Sequence, residues 1–240
     1  MKEEGRKILG VIGGMGPLAT QLFYGQIISN TDAHKDQEHL NMVILNHASM
    51  PDRTEAILKG ETEELYQKLL EDGRLLEALG ADMIAVPCNT SHYFLDSIQK
   101  EIQVPILHMI RETAGAIGEG AKRIGILATD GTIRTQLYQK ELEKKGLEPV
   151  IPSEEIQRKV MAIIYDGVKD GGPLSLEDFQ PVEKEMKERG CDRVILACTE
   201  LSVLKDRFFL GDYYLDAMAV LAERSITGCG HKLKQEGKRK

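Results

Sequence analysis

Gly80-Ala-Asp-Met-Ile-Ala-Val-Pro-Cys88 and Gly190-Cys-Asp-Arg-Val-Ile-Leu-Ala-Cys198 are two versions of one phrase. The Gly, the Asp and the closing Cys recur at a separation of 190 − 80 = 110 positions. Between glycine and cysteine each copy is apolar without alternation, as strands buried on both faces of a parallel sheet are. A second echo lies earlier in each half. Thr20-Gln21-Leu22 and Thr135-Gln136-Leu137 are 135 − 20 = 115 positions apart, each after a strand-like run and a Gly-containing turn. The chain therefore reads as two similar α/β halves related by a pseudo-twofold axis, with a repeat too long for a solenoid unit.

Working outward, further short apolar runs read as strands: 7–12, 42–46, 83–87, 105–107, 123–128, 149–152, 193–197 and a brief 213–215. Helical patterns lie between them at 18–29, 63–79, 91–101, 133–145, 154–169, 176–189 and 216–227. Strand–helix alternation on this scale implies βαβ units and a doubly wound α/β architecture. The expected fold is two three-layer αβα lobes, each with a mostly parallel four-stranded sheet, and a cleft between them. One lobe comprises 1–114 together with a returning helix in 216–240, the other 115–215, with the crossover inside 110–121. Asp216 is expected to cap the returning helix. The last ten residues, HKLKQEGKRK, are expected as a frayed, solvated tail.

The chain has 240 residues, with 31 Lys+Arg against 38 Asp+Glu, a net charge of −7. With 42% hydrophobic and 29% charged residues there is enough apolar material for a core, which excludes disorder for the bulk of the chain. No apolar run approaches the length of a membrane helix, and MKEEGRKILGVIGG enters a strand-like run without a secretory h-region. The acidic balance argues against a nucleic-acid partner, and the expected setting is the cytoplasm. A homodimer is compatible with the sequence but not selected by it.

Of the four cysteines, Cys191 and Cys229 have no repeat partner, and no CxxC pair suggests zinc. Cys88 and Cys198 coincide under the repeat. Each is expected at the carboxyl edge of a strand and directly before a helix, where ligands bind and where the helix N-terminus favours thiolate. Facing each other across a cleft, two such groups suit one reaction well: moving a proton from one face of a carbon to the other, one acting as thiolate and one as thiol. The polar residues that follow, Asn89-Thr90 and Thr199-Glu200, suit an anion site better than a core. The bland alternative is that both cysteines are core fillers left over from a duplication.

ILGVIGGMGPLAT, DQEH, MPDRT, PCNTSH, LATDGT, YDGVKDG and ACTE, in this order over residues 8 to about 216, resemble the aspartate racemase family, a cofactor-independent branch of the aspartate/glutamate racemase superfamily. The resemblance implies two pseudo-symmetric α/β domains with the active site between them. It implies α-proton exchange by Cys88 and Cys198, with neither pyridoxal phosphate nor metal. It carries Asn89, Thr90, Thr129 and Thr199 over to the substrate's α-carboxylate and α-amino group, and Arg53 and Lys169 to a side-chain carboxylate. The substrate is thus a small amino acid, a dicarboxylic one being favoured. Glu200 is the residue the aspartate branch carries where glutamate racemases have His. Met15 and Gly16 belong to a turn, not a dinucleotide fingerprint, that brings backbone N–H groups near the substrate. One departure is Asp130, where a second Thr is expected; it either adds negative charge to the anion site or turns away. His92 is expected on a helix surface or behind the site, and His108 as a core histidine.

Two alternatives stay open. Broad-specificity amino-acid racemases, hydantoin racemases and maleate isomerases resemble the same superfamily and would use the same cysteine pair. A non-enzymatic, periplasmic-type binding module also has two facing α/β lobes, although the paired cysteines argue against it.

Overall fold

A computed structural model describes residues 6–235. The last five residues of the basic tail, 236–240, lie outside the described residues, as do 1–5 of the N-terminus. The first half runs β1 (Ile8–Gly13), α1 (Pro17–Asn30), β2 (Asn41–Asn46), α2 (Arg53–Lys59), α3 (Glu63–Ala78), β3 (Met83–Ala85), α4 (His92–Ile98) and α5 (Met109–Gly115). The second runs β4 (Arg123–Ala128), α6 (Asp130–Thr135), α7 (Leu137–Glu143), β5 (Glu148–Val150), α8 (Glu154–Ala162), a π-helical turn (Ile163–Lys169), α9 (Leu176–Glu188), β6 (Arg193–Ala197), α10 (Thr199–Phe208) and β7 (Tyr214–Asp216). Helix α11 (Ala217–Gly228) follows.

The described strands form two sheets, ordered β2-β1-β3 and β5-β4-β6-β7, and every ladder in them is parallel. The 2-1-3 order of the first half recurs as 5-4-6 in the second, so the pseudo-symmetry of the sequence is also one of topology. The fourth strand expected at 105–107 is reduced to a single Ile84–Ile106 bridge, held by Ile84 N–H to the Pro105 carbonyl at 2.9 Å and Leu107 N–H to the Ile84 carbonyl at 2.8 Å. Pro105 has no N–H to extend the ladder.

Three apolar clusters fill the molecule. One sits on the outer side of the first sheet around Leu65, Leu69, Leu76 and Ile84, another on that of the second around Val160, Phe179, Val182 and Leu196. The third spans both halves, joining Leu9, Val11 and Phe23 to Ile124, Ile126, Tyr138 and Ile195, with Met218, Leu221 and Ile226 of α11. Helix α11 packs on α5 and α1 and is capped by Asp216, whose carboxylate accepts from Met218 N–H at 2.9 Å and from Ser202 Oγ at 2.6 Å. The described start of the basic tail is tied down: Asp32 N–H donates to the Lys232 carbonyl at 2.9 Å and Lys234 N–H to the Asn30 carbonyl at 2.8 Å. Among the described residues no helix is long and apolar enough to cross a membrane.

Two expected helices differ in a way that matters for the site. The pattern at 133–145 is broken at Gln136, whose φ of 57° is left-handed, into α6 and α7. The pattern at 154–169 widens into the π turn after Ala162, which carries Tyr165 and Lys169. Helices α2 and α5, which the sequence reading omits, are only seven residues long.

Candidate active site

The carboxyl ends of the strands converge on one narrow inner cavity. Met15, Arg53, Cys88, Asn89, Thr90, Thr129, Lys169, Cys198, Thr199 and Glu200 all line it. Gly16 lies outside it, on the wall of a roomier adjoining outer pocket that shares Arg53, Lys169 and Glu200. Asp52 and Thr54 also line the inner cavity, although the sequence reading gave them no place there.

The turn after β1 depends on Gly14. Its φ is +88°, and a Cβ there would stand 2.5 Å from the backbone of His47. Gly14 N–H is taken by Thr20 Oγ1 at 2.9 Å, so it is not offered to the cavity. Pro17 opens α1, where a missing N–H costs nothing.

The two cysteines are buried to the same degree, 5% and 6% exposed, but their settings differ. Cys198 is the N-cap residue of α10, as expected. Cys88 is not at a helix start. Pro87 and its preceding residue end β3 early, Cys88 N–H bonds the Val86 carbonyl, and a turn at Asn89–Ser91 separates it from α4. The helix-terminus argument therefore applies to one thiol only. Even there it is overridden. Burial, then the carboxylate of Glu200, pushes Cys198 well above the ordinary thiol value, and its Sγ donates to Glu200 Oε2 at 2.9 Å. Beside Cys88 stands the guanidinium of Arg53. Burial works against the Arg53 charge, but Cys88, Asp52 and Glu200 outweigh it, and the guanidinium is held above its ordinary value. One thiol thus faces a cation and its counterpart an anion.

Threonine hydroxyls join the halves across the cavity floor. Thr90 Oγ1 lies 3.0 Å from Thr129 Oγ1 and 2.9 Å from Thr132 Oγ1, and Thr129 caps α6. Gly131 makes this approach possible, since a Cβ there would stand 3.0 Å from the Thr54 backbone. At the rim, Asp52 caps α2, accepts from the Tyr165 hydroxyl at 3.2 Å and pairs with Lys169 at 3.4 Å. The Lys169 ammonium sits 3.9 Å from the Tyr165 ring centre. Burial opposes the Lys169 charge, but Glu200, Tyr165 and Asp52 outweigh it and raise its value. Two polar atoms in the cavity wall, Asn89 Nδ2 and Glu200 Oε1, are buried without a hydrogen-bond partner among the described residues.

Asp130 adds no charge to the cavity: its carboxylate accepts from Gln157 Nε2 at 2.8 Å, on α8. His92 is fully buried behind Cys88. Its Nδ1 lies 2.9 Å from the Cys88 carbonyl and its Nε2 accepts from Met109 N–H at 3.0 Å. Burial, with His108 nearby, lowers it to about 3, so the ring is neutral and fixes the loop that carries Cys88. His108 caps α5 rather than filling the core. Cys191 and Cys229 are buried away from the cavity, and burial pushes Cys229 to about 11. Among the described residues no three or more His, Cys, Asp or Glu side chains are grouped as metal ligands would be.

Known proteins are similar to this chain in sequence and in fold. The broad-specificity amino-acid racemase RacX of Bacillus subtilis (strain 168) is 30% identical over 227 residues, 92% of this chain and 97% of that protein. The structure of Picrophilus torridus aspartate racemase superposes with a TM-score of 0.81 at 31% identity, covering 96% of this chain and 97% of that one. PH1733 from Pyrococcus horikoshii OT3, described as an aspartate racemase homologue, gives 0.74 at 26% identity over 93% and 99%. Residues 12–224, nearly the whole of both halves, match the Asp/Glu/Hydantoin racemase family. With its family matched from the first strand to the last helix and its relatives racemases, the chain belongs to the Asp/Glu/Hydantoin racemase family and is an isomerase.

Proposed function

We propose that the chain interconverts L- and D-aspartate, with glutamate as a further substrate, by passing the α-proton between two cysteines without pyridoxal phosphate or metal. The observation that carries this reading is the opposite setting of the two thiols. Cys88 stands beside the Arg53 guanidinium, while Cys198, hydrogen-bonded to Glu200, is held to its proton. A one-thiolate, one-thiol pair is what proton transfer between the faces of a carbon requires.

In this scheme the Cys88 thiolate takes the α-proton, and the C–H electron pair passes to Cα and into the α-carboxylate. The Cys198 S–H proton is delivered to the opposite face. Cys88 ends as thiol and Cys198 as thiolate, and the reverse reaction restores the pair. While Cys198 carries charge, Lys169 offsets part of the Glu200 repulsion. The α-carboxylate is assigned to the side of Asn89 Nδ2 and the Thr90–Thr129 hydroxyls, with Thr199 completing the polar wall. The ammonium is assigned to the free Glu200 Oε1. Arg53 and Lys169, which share one side of the cavity wall, are assigned to the distal carboxylate, Arg53 through a bidentate grip. Met15 and Gly16 form the adjoining wall.

A second reading, a broad-specificity racemase, is favoured by one observation. The outer pocket is larger than the inner cavity and is lined by Leu18, Met50 and Val168, which suit longer apolar side chains. A chiral assay of several L-amino acids, with and without pyridoxal phosphate, tests both. Aspartate turned over fastest without the cofactor supports the first reading; equal turnover of apolar amino acids replaces it with the second. Dependence on added pyridoxal phosphate would overturn both.

A further inference from the structure

The repeat that aligns the halves also aligns two aromatic residues. Thr20-Gln21-Leu22 continues into Phe23 and Thr135-Gln136-Leu137 into Tyr138, so the second half carries a hydroxyl that its counterpart lacks. Both rings are fully buried in the shared core. A buried hydroxyl is unfavourable unless it is paired. The pairing is across the molecule: Tyr138 on α7 donates to Asn89 Oδ1, next to Cys88 in the other half, at 2.6 Å. The residue equivalent to Asn89 is Thr199, which needs no such partner because its hydroxyl lies 3.3 Å from Glu200 Oε2. The break at Gln136 has no equivalent in the continuous α1 and starts the short helix that carries Tyr138.

An asparagine amide has two orientations, related by a flip, that exchange its donor and acceptor ends. Burial pushes the Tyr138 hydroxyl far above its ordinary value, so it stays protonated at any working pH. With Oδ1 satisfied by that hydroxyl, Asn89 Nδ2 is left as the end that is buried without a partner in the wall beside Cys88. We propose that Tyr138 is a positioning residue for the racemase reaction: its hydroxyl fixes the Asn89 amide so that Nδ2 donates to the substrate's α-carboxylate. The donor matters most as the proton leaves, because the carboxylate then gains charge from the carbanion, and a preorganised donor stabilises that state more than the bound substrate. Without the hydroxyl the amide is free to turn its oxygen toward the carboxylate.

The inference rests on the proposed location of the α-carboxylate, and the experiment separates the two. Tyr138→Phe keeps the ring and removes the hydroxyl. Exchange of the α-hydrogen in D₂O is followed on whichever amino acid the wild type turns over fastest, in the wild-type and Asn89→Ala backgrounds. In the wild-type background Tyr138→Phe is expected to lower kcat about 10-fold with KM changed less than about 3-fold, the mark of a contact made chiefly in the transition state. In the Asn89→Ala background it is expected to change kcat less than about 2-fold, because the residue it acts through is gone. A purely structural loss would lower activity by the same factor in both backgrounds, and that result overturns the inference. So does an unchanged kcat in Tyr138→Phe alone. If Asn89→Ala is as active as the wild type, it is the location of the carboxylate that fails. Should Tyr138→Phe not fold, Asn89→Asp decides: Tyr138 still has an oxygen to donate to, but the cavity now meets an anion. Activity below that of Asn89→Ala is expected, and activity equal to or above it overturns the donor role.

Discussion

Cys198 donates its thiol proton to Glu200 Oε2 across 2.9 Å, with both side chains buried. Its repeat partner Cys88 has an arginine as neighbour. The repeat positions keep the two sulfurs and place opposite charges beside them, and burial together with Glu200 raises Cys198 well above the ordinary thiol value.

Alkylation should read that difference directly. Since the two thiols are equally buried, access does not separate them. At about pH 7.5 iodoacetamide is expected to modify Cys88 ahead of Cys198, because burial and Glu200 hold Cys198 as the unreactive thiol. Glu200→Gln removes the anion that helps hold the Cys198 proton. It should narrow the gap in alkylation rate and move any alkaline limb of the pH–rate profile to lower pH. Peptide mass spectrometry over a time course checks the order, and equal labelling of the two wild-type thiols would count against it.

Each of Cys88→Ser and Cys198→Ser should reduce racemisation by about 10²–10⁴-fold, the usual contribution of a positioned acid or base. Each is expected to retain hydrogen–deuterium exchange on one enantiomer only, because one face still has its base. Retention of full racemisation by either variant would remove the two-base scheme.

Arg53→Ala and Lys169→Ala distinguish a dicarboxylate site from a general one. Loss of the bidentate guanidinium should raise KM for aspartate by roughly 10-fold or more, with alanine much less affected. Equal losses on both substrates in steady-state assays would show that the cations serve the thiols rather than the substrate side chain.

Stability should fall with acid through His92. Its folded value is lowered to about 3 from an ordinary 6.5, because the ring is buried. Below pH 6.5 the unfolded chain takes up a proton that the folded one refuses. The stabilisation is therefore complete above 6.5 and is lost as pH falls toward the folded value, by about 1.4 kcal/mol per pH unit. Urea unfolding of wild type and His92→Gln between pH 7 and about 4.5 should show the wild type losing stability faster by about that slope.

Two glycines with left-handed backbones separate strain from collision. Gly60 has φ +76° and open space around it, so Gly60→Ala should cost about 1 kcal/mol. Gly14 combines φ +88° with the His47 backbone 2.5 Å from its absent Cβ. Gly14→Ala should cost clearly more, about 2–4 kcal/mol, and should displace Met15 at the cavity wall. Equal Tm losses for the two would argue that the close approach relaxes freely.

Much of this protein is written in short range. Apolar runs of strand length specify the two sheets, the repeat identifies Cys88 and Cys198 as equivalent, and Asp216 before an apolar-periodic segment marks a cap, because each depends on neighbours along the chain. The site residues were legible as types in motifs, apart from Asp52 and Thr54, which flank Arg53 and share its cavity wall. What the chain by itself could not state is which way its charges act. Asp130 turns to Gln157 on another helix, Arg53 arrives at Cys88 from a helix thirty-five positions earlier, and Tyr138 reaches Asn89 across the lobes. Coulomb interactions and hydrogen bonds depend on distance in space and on how much water is excluded, and both are set only when the two halves close on each other. The sequence determined that there are two equivalent thiols; the tertiary structure decided that they are not alike.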